Sequence, residues 1–277
     1  MTTADASWPM GGGADDDPRG PVGKAFRLSA ADSLSLGNAL CGFLAVCVLA
    51  WSAITSLQQT SKFEANPQFF GTAVVLLLLG ATCDLFDGLV ARRFRASAMG
   101  AELDNLADVI SFGFAPAFMV VIWAGFNPQV PFLMVMAAAA SVLLAGVIRL
   151  ARFACVKTKS GDFMGLPIPM GAMSVIAVVL LFEPSVWAVL PIFGIAYLMV
   201  SRIEYPKPKG NLAAVVLAWM MINVACLTIW AAGLAGGDTL IKVGATMQLT
   251  IVAAIPLRIL MFKREQRKER KEAERVG

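Results

Sequence analysis

An all-α, polytopic membrane helix bundle is the architecture this sequence predicts, and three observations carry it. Residues of the AVILMFWYC set fill 58% of the 277 positions and charged residues only 15%, against ~45–50% and ~25% in soluble domains. Mean hydropathy is +0.71, and the apolar residues gather in runs near the ~20-residue length that crosses a bilayer. The basic residues collect in alternate gaps between those runs, as they do in loops retained on one face of a membrane.

Taken in order, residues 1–22 are rich in Gly, Pro and Asp, including Gly11–Gly13 and Asp15–Asp17. They cannot build a core, and a disordered tail is expected. No basic stretch leads into an apolar run there, so the segment does not read as a signal peptide. Eight spanning segments follow, at 34–56, 68–90, 104–124, 131–153, 168–183, 185–201, 211–234 and 240–261. The fifth and sixth are short and are divided only by Glu183-Pro184. With the N-terminus on the cytoplasmic face, 21 of the 23 basic residues fall on that face, and only Lys62 and Lys242 fall opposite. A miscounted span would scramble this split. The tail 263–277 carries seven basic and four acidic residues. It suits a solvated helix of mixed charge, or a contact with anionic headgroups that the acidic residues weaken.

Composition also excludes chemistry. The chain contains no histidine, which removes Ser-His-Asp and Cys-His catalysis and imidazole-based zinc sites. The five cysteines (Cys41, Cys47, Cys83, Cys155 and Cys226) are odd in number and form no CxxC. They read as small core-filling residues rather than a disulfide framework. No nucleic acid is expected as a partner.

Aspartates are costly inside a span, ~2.5–3.5 kcal/mol each on insertion scales, yet four gather at one end of the second and third segments. Asp84 and Asp87 stand at i and i+3, and Asp104 and Asp108 at i and i+4, so each pair shares one helical face. A short connection makes the two helices antiparallel neighbours whose acidic faces can meet. Hard divalent cations resolve the resulting repulsion, and an all-oxygen donor set suits Mg²⁺ or Mn²⁺. The competing reading is a set of protonated or arginine-paired aspartates that holds the bundle together. Gly88 follows Asp87, and Gly100 precedes Asp104 by four residues. Both leave backbone open for close approach of a nucleotide, although either alone would also suit helix packing. Arg92 lies four or five residues beyond Asp87 and Gly88 and could reach a phosphate.

Residues 84–108 read DLFDGLVARRFRASAMGAELDNLAD, or D-x2-D-G-x2-A-R-x7-G-x3-D-x3-D. This resembles the signature of the CDP-alcohol phosphatidyltransferases. Further stretches are similar to the bacterial branch of that family that uses serine as acceptor. They are Leu36-Gly37-Asn38-Ala39-Leu40-Cys41-Gly42-Phe43, Arg149-Leu150-Ala151-Arg152-Phe153, Gly165-Leu166-Pro167-Ile168-Pro169 and Met199-Val200-Ser201-Arg202. The resemblance covers roughly residues 30–205. The chain departs from the branch at Ala154, where Asn is common, and at Ala31-Asp32 and Ser35, where Pro-Asn and Thr are common.

The resemblance implies a six-helix core over 23–205, two additional spans within 206–262 and a cytoplasmic tail over 263–277. It implies attack by a hydroxyl, that of L-serine in this branch, on the β-phosphorus of CDP-diacylglycerol with CMP leaving. Two divalent ions would hold attacking and leaving oxygens. Asp84, Asp87 and Asp104 would bind metal, with Asp108 near it and acting as general base. Gly88, Arg92, Ser97 and Gly100 would hold the CDP moiety, with Asp32 and Ser35 as second nucleotide-side contacts. Arg149 and Arg152 are candidates for the acceptor carboxylate, and equally for anchors at the membrane face. The implied setting is a bacterial inner membrane, among membrane lipids, as a homodimer with the site facing the cytoplasm. Glycerol 3-phosphate, choline or an inositol phosphate remain alternative acceptors, and a divalent-cation carrier is the alternative outside enzymes.

Overall fold

The computed structural model describes residues 29–60, 66–93, 99–155, 163–205, 221–222, 225–226, 228–230, 232–234 and 236–276. Side chains of residues 60, 87–93, 204–205, 238, 255, 259–260 and 262–276 are not among the parts described. The bundle opens with α1 (Ala30–Thr60) and α2 (Pro67–Arg93). Next come α3 (Gly100–Ala124) and α4 (Phe132–Cys155). Two shorter helices follow, α5 (Ile168–Leu181) and α6 (Val186–Val200). The last helix, α7 (Gly237–Val276), is 40 residues long. Among the described residues, five helices are long and apolar enough to cross a membrane, and α5 and α6 are shorter apolar helices. The protein is therefore an all-α, multi-pass membrane protein. The expected seventh span, 211–234, lies mostly outside the described residues, and its described pieces at 221–222, 225–226 and 228–230 are helical.

Both faces of the helices explain the apolar composition. Leu49, Leu77, Phe112, Met119, Ile192 and Met199 are fully buried between helices. Leu133 and Trp187 are 80% exposed, and Phe43, Trp51 and Tyr197 also face outward. An apolar exterior over an apolar core is what a lipid solvent permits. α1 packs chiefly on α2, with α3 across both. α4 packs on α6, and α7 on α5. Small residues set the close spacing of α1 and α2, where Ala45, Ala73 and Ala81 are buried.

Helix ends differ from the apolar runs for identifiable reasons. α1 starts at Ala30, four residues before the expected span. Ser29 and Asp32 cap it reciprocally, with the Ser29 N–H on Asp32 Oδ2 at 2.7 Å and the Asp32 N–H on Ser29 Oγ at 3.2 Å. α3 contains a π-helical stretch, Val109–Phe114, between two α-helical parts. Pro116 has no N–H to return to the Phe112 carbonyl, so a regular turn cannot close there and a wider one takes its place. α7 runs without interruption from its apolar part into the charged tail, in accord with the helix expected there.

The two ends of the bundle are pinned separately. At the end of α3 away from the aspartates, Trp123 Nε1 donates to the Phe182 carbonyl (3.2 Å) and Asn127 Nδ2 to the Pro184 carbonyl (3.0 Å). These contacts hold the break at Glu183-Pro184 that separates α5 from α6. Elsewhere β1 (Phe163–Met164) pairs antiparallel with β2 (Glu204–Tyr205). Gly165, at φ 81°, donates to the Ile203 carbonyl at 2.9 Å. A Cβ at Gly165 would fall 2.3 Å from the Met199 carbonyl oxygen, so only glycine fits that turn.

Candidate active site

The acidic faces read from sequence do meet. α2 carries Asp84 near its C-terminal end, and α3 carries Asp104 and Asp108 one turn apart near its start. One carboxylate oxygen from each of Asp84, Asp104 and Asp108 lies within 4.8 Å of the others. Asp108 is buried, and Asp84 and Asp104 are half-buried. Three carboxylates that close, in a helix bundle, repel one another unless a cation or protons intervene. Their spacing and all-oxygen chemistry fit a hard divalent ion. Asp87 lies three residues past Asp84 on α2, and its side chain is outside the described residues. The same holds for Arg92, while Gly88 lies on the same stretch of helix. Ser97 lies outside the described residues altogether. Gly100 is the first residue of α3, half-buried, four residues before Asp104.

Arg149 is on α4, 7% exposed, and the charge of Asp108 acts on it. Its Nε has no hydrogen-bond partner among the described residues. A buried guanidinium with a donor to spare, beside a carboxylate cluster, can receive an anionic group of a small substrate. Arg152 is placed differently. Its Nη1 donates to the carbonyls of Val200 (3.0 Å) and Ser201 (3.4 Å), where it satisfies the C-terminal end of α6. Of the two arginines, Arg149 is the one turned toward the aspartates.

Asp32 and Ser35 sit in the first turns of α1, 1% and 3% exposed. Asp32 takes part in the cap with Ser29, and Ser35 Oγ donates to the Ala31 carbonyl at 3.4 Å. Both are thus engaged at the start of the helix as well as facing the bundle interior.

Sequence reasoning named Asn38 only within a family-like stretch, with no role of its own, and did not name Ser111. Asn38 is completely buried, and its Nδ2 donates to Asp108 Oδ1 at 3.4 Å. Ser111, in the π-helical stretch of α3, donates its hydroxyl to the Asn38 carbonyl at 2.7 Å. Polar side chains at these positions in apolar spans were the available signal, because such groups rarely lie in hydrocarbon without a partner.

Residues 28–230 match the family described as CDP-alcohol phosphatidyltransferase. The chain is 32% identical over 181 residues to the CDP-diacylglycerol–serine O-phosphatidyltransferase of Bacillus subtilis (strain 168), covering 65% of this chain and 91% of that protein. It is 35% identical to the Helicobacter pylori (strain ATCC 700392 / 26695) protein of the same name, over 61% of this chain and 76% of the relative. It is also 30% identical to an archaetidylserine synthase of Methanothermobacter thermautotrophicus, over 65% of this chain and 70% of that protein.

Proposed function

Because the chain belongs to the CDP-alcohol phosphatidyltransferase family, we propose that it transfers the phosphatidyl group of CDP-diacylglycerol to the hydroxyl of L-serine, yielding phosphatidylserine and CMP. The observation that carries this reading is the meeting of Asp84, Asp104 and Asp108, the motif's carboxylates, within 4.8 Å. All three relatives named above have serine in their names.

The residues divide the work as follows. Asp84, Asp87 and Asp104 would hold Mg²⁺ or Mn²⁺, with Asp108 beside them. The bound ions supply charge neutralisation at the diphosphate, which phosphoryl-type transfer needs more than covalent catalysis. Gly88, Gly100, Arg92 and Ser97 would receive the CDP moiety, with Asp32 and Ser35, at the start of α1, as second nucleotide-side contacts. Arg149 meets the serine carboxylate, and its burial strengthens that pairing. Asp108 accepts the proton of the serine hydroxyl as the oxygen attacks the β-phosphorus. A new P–O bond forms to serine, the bond from the β-phosphorus to the bridging oxygen breaks, and that oxygen leaves on CMP.

The reading includes a cytoplasmic site in a bacterial inner membrane, supported by the 21-of-23 basic asymmetry. It also includes a homodimer, supported by the family resemblance, and a six-helix core followed by two added spans. A cation carrier is disfavoured because the carboxylates sit near the ends of α2 and α3, away from mid-span. An acceptor panel tests the proposal. Purified protein and CDP-diacylglycerol are offered serine, glycerol 3-phosphate, choline and inositol phosphate in turn. Serine is expected to give the fastest CMP release, and a faster reaction with another acceptor would reassign the substrate.

A further inference from the structure

We propose that Asn38 is a positioning residue for Asp108, held in place by Ser111 and by the glycines that let three helices close around it. Asn38 is 0% exposed and Asp108 8% exposed. The amide Nδ2 donates to Asp108 Oδ1, while Oδ1 of the same amide has no hydrogen-bond partner among the described residues. A buried amide with one end unmatched costs free energy that an apolar side chain would not. What compensates is the contact at the other end, where a donor faces a carboxylate.

Contacts from three helices hold Asn38 and its amide in place. On α2, a Cβ at Gly80 would lie 2.7 Å from Asn38 Oδ1, so a larger residue would displace the amide. Gly80 is one turn before Asp84. On α1, a Cβ at Gly42 would lie 2.5 Å from Ser111 Oγ and 2.7 Å from Ser111 Cα, so glycine there admits the π-helical stretch of α3. Gly42 is one turn after Asn38. On α3, Ser111 donates to the backbone carbonyl of Asn38 and so holds that turn of α1. The π-helical stretch begins directly after Asp108, and its wider turn offers Ser111 to α1 while Asp108 faces the carboxylates. Asn38 therefore sets where the Asp108 carboxylate stands relative to Asp84 and Asp104. An outer partner of this kind typically changes metal affinity or activity by ~10–100-fold.

The turnover arm of the test rests on the proposed transfer, whereas the metal arm rests only on the carboxylate cluster. Asn38→Ala, Asp108→Asn and the double variant are compared with the unaltered full-length protein in detergent. Mn²⁺ alone is titrated by electron paramagnetic resonance, and CMP release is measured separately. Asn38→Ala is expected to weaken Mn²⁺ binding roughly 3- to 10-fold and to slow turnover about 10- to 100-fold. In the Asp108→Asn background, both effects should shrink to less than about twofold. Equal losses in both backgrounds, or no loss in the unaltered background, would overturn the assignment. Should Asn38→Ala not fold, Asn38→Ser carries the same cycle, since its hydroxyl is too short to reach Asp108. If the unaltered protein released no CMP, the transfer reading would fail while the Mn²⁺ cycle still decided the role of Asn38.

Discussion

Arg149 on α4 lies within electrostatic reach of Asp108 on α3, and each side chain is less than a tenth exposed inside the bundle. Neither arises from helix packing alone, because either charge by itself would be costly there. In the proposed transfer, Arg149 would meet the acceptor's carboxylate and Asp108 would take the proton of its hydroxyl.

Arg149→Met should therefore act on serine rather than on the lipid substrate. A charge-assisted hydrogen bond contributes about 1.5–3 kcal/mol, so the KM for serine should rise roughly 10- to 100-fold. The KM for CDP-diacylglycerol should change far less. Steady-state kinetics with each substrate varied in turn check this. An equal rise in both constants would return Arg149 to a purely structural role.

Asp108→Asn keeps the size of the side chain and removes the proton acceptor. Turnover should fall ~10²–10⁴-fold, with Mn²⁺ affinity reduced no more than about tenfold. Asp84→Asn should show the opposite balance, losing metal and CDP binding together. Calorimetry beside the turnover assay separates the two. Near-normal turnover in Asp108→Asn would remove it as the base.

Removal of divalent ions should stop the reaction completely. EDTA is expected to abolish CMP release, and Mn²⁺ or Mg²⁺ to restore it. Full activity in metal-free buffer would contradict the role given to the clustered carboxylates.

Topology has its own test. In a single-cysteine background, Gly277→Cys should react with a membrane-impermeant reagent only after the cells are opened. Labelling in intact cells would invert the orientation or change the number of spans.

Gly165→Ala probes the fold without touching the carboxylates. At φ 81°, and with its Cβ directed at the Met199 carbonyl, alanine should destabilise the protein by about 1–3 kcal/mol. The midpoint of thermal unfolding in detergent should fall accordingly, and an unchanged midpoint would show that the turn relaxes freely.

Much of this molecule was legible in its sequence because the strongest constraints are local. Apolar length located α1 to α4, and carboxylate spacing brought Asp84, Asp104 and Asp108 to one place. Glu183-Pro184 marked the break between α5 and α6. The start of α1 was missed although Ser29 and Asp32 form a recognisable capping pattern, because the apolar run begins later. The π-helical stretch escaped because it follows from one missing N–H at Pro116 and from packing against Gly42, and neither leaves a periodic trace. The contact of Asn38 with Asp108 escaped for a related reason. A single amide in an apolar helix becomes informative only when the residue across from it is known, and Asp108 is on a different helix.

Phosphatidyl transfer to serine at this carboxylate cluster can be read from incorporation of labelled L-serine into lipid by the purified protein. Labelled phosphatidylserine should form only with CDP-diacylglycerol present, in equal amount with CMP, and should be lost in Asp104→Asn. Serine-independent CMP release, or incorporation undiminished in Asp104→Asn, would contradict it.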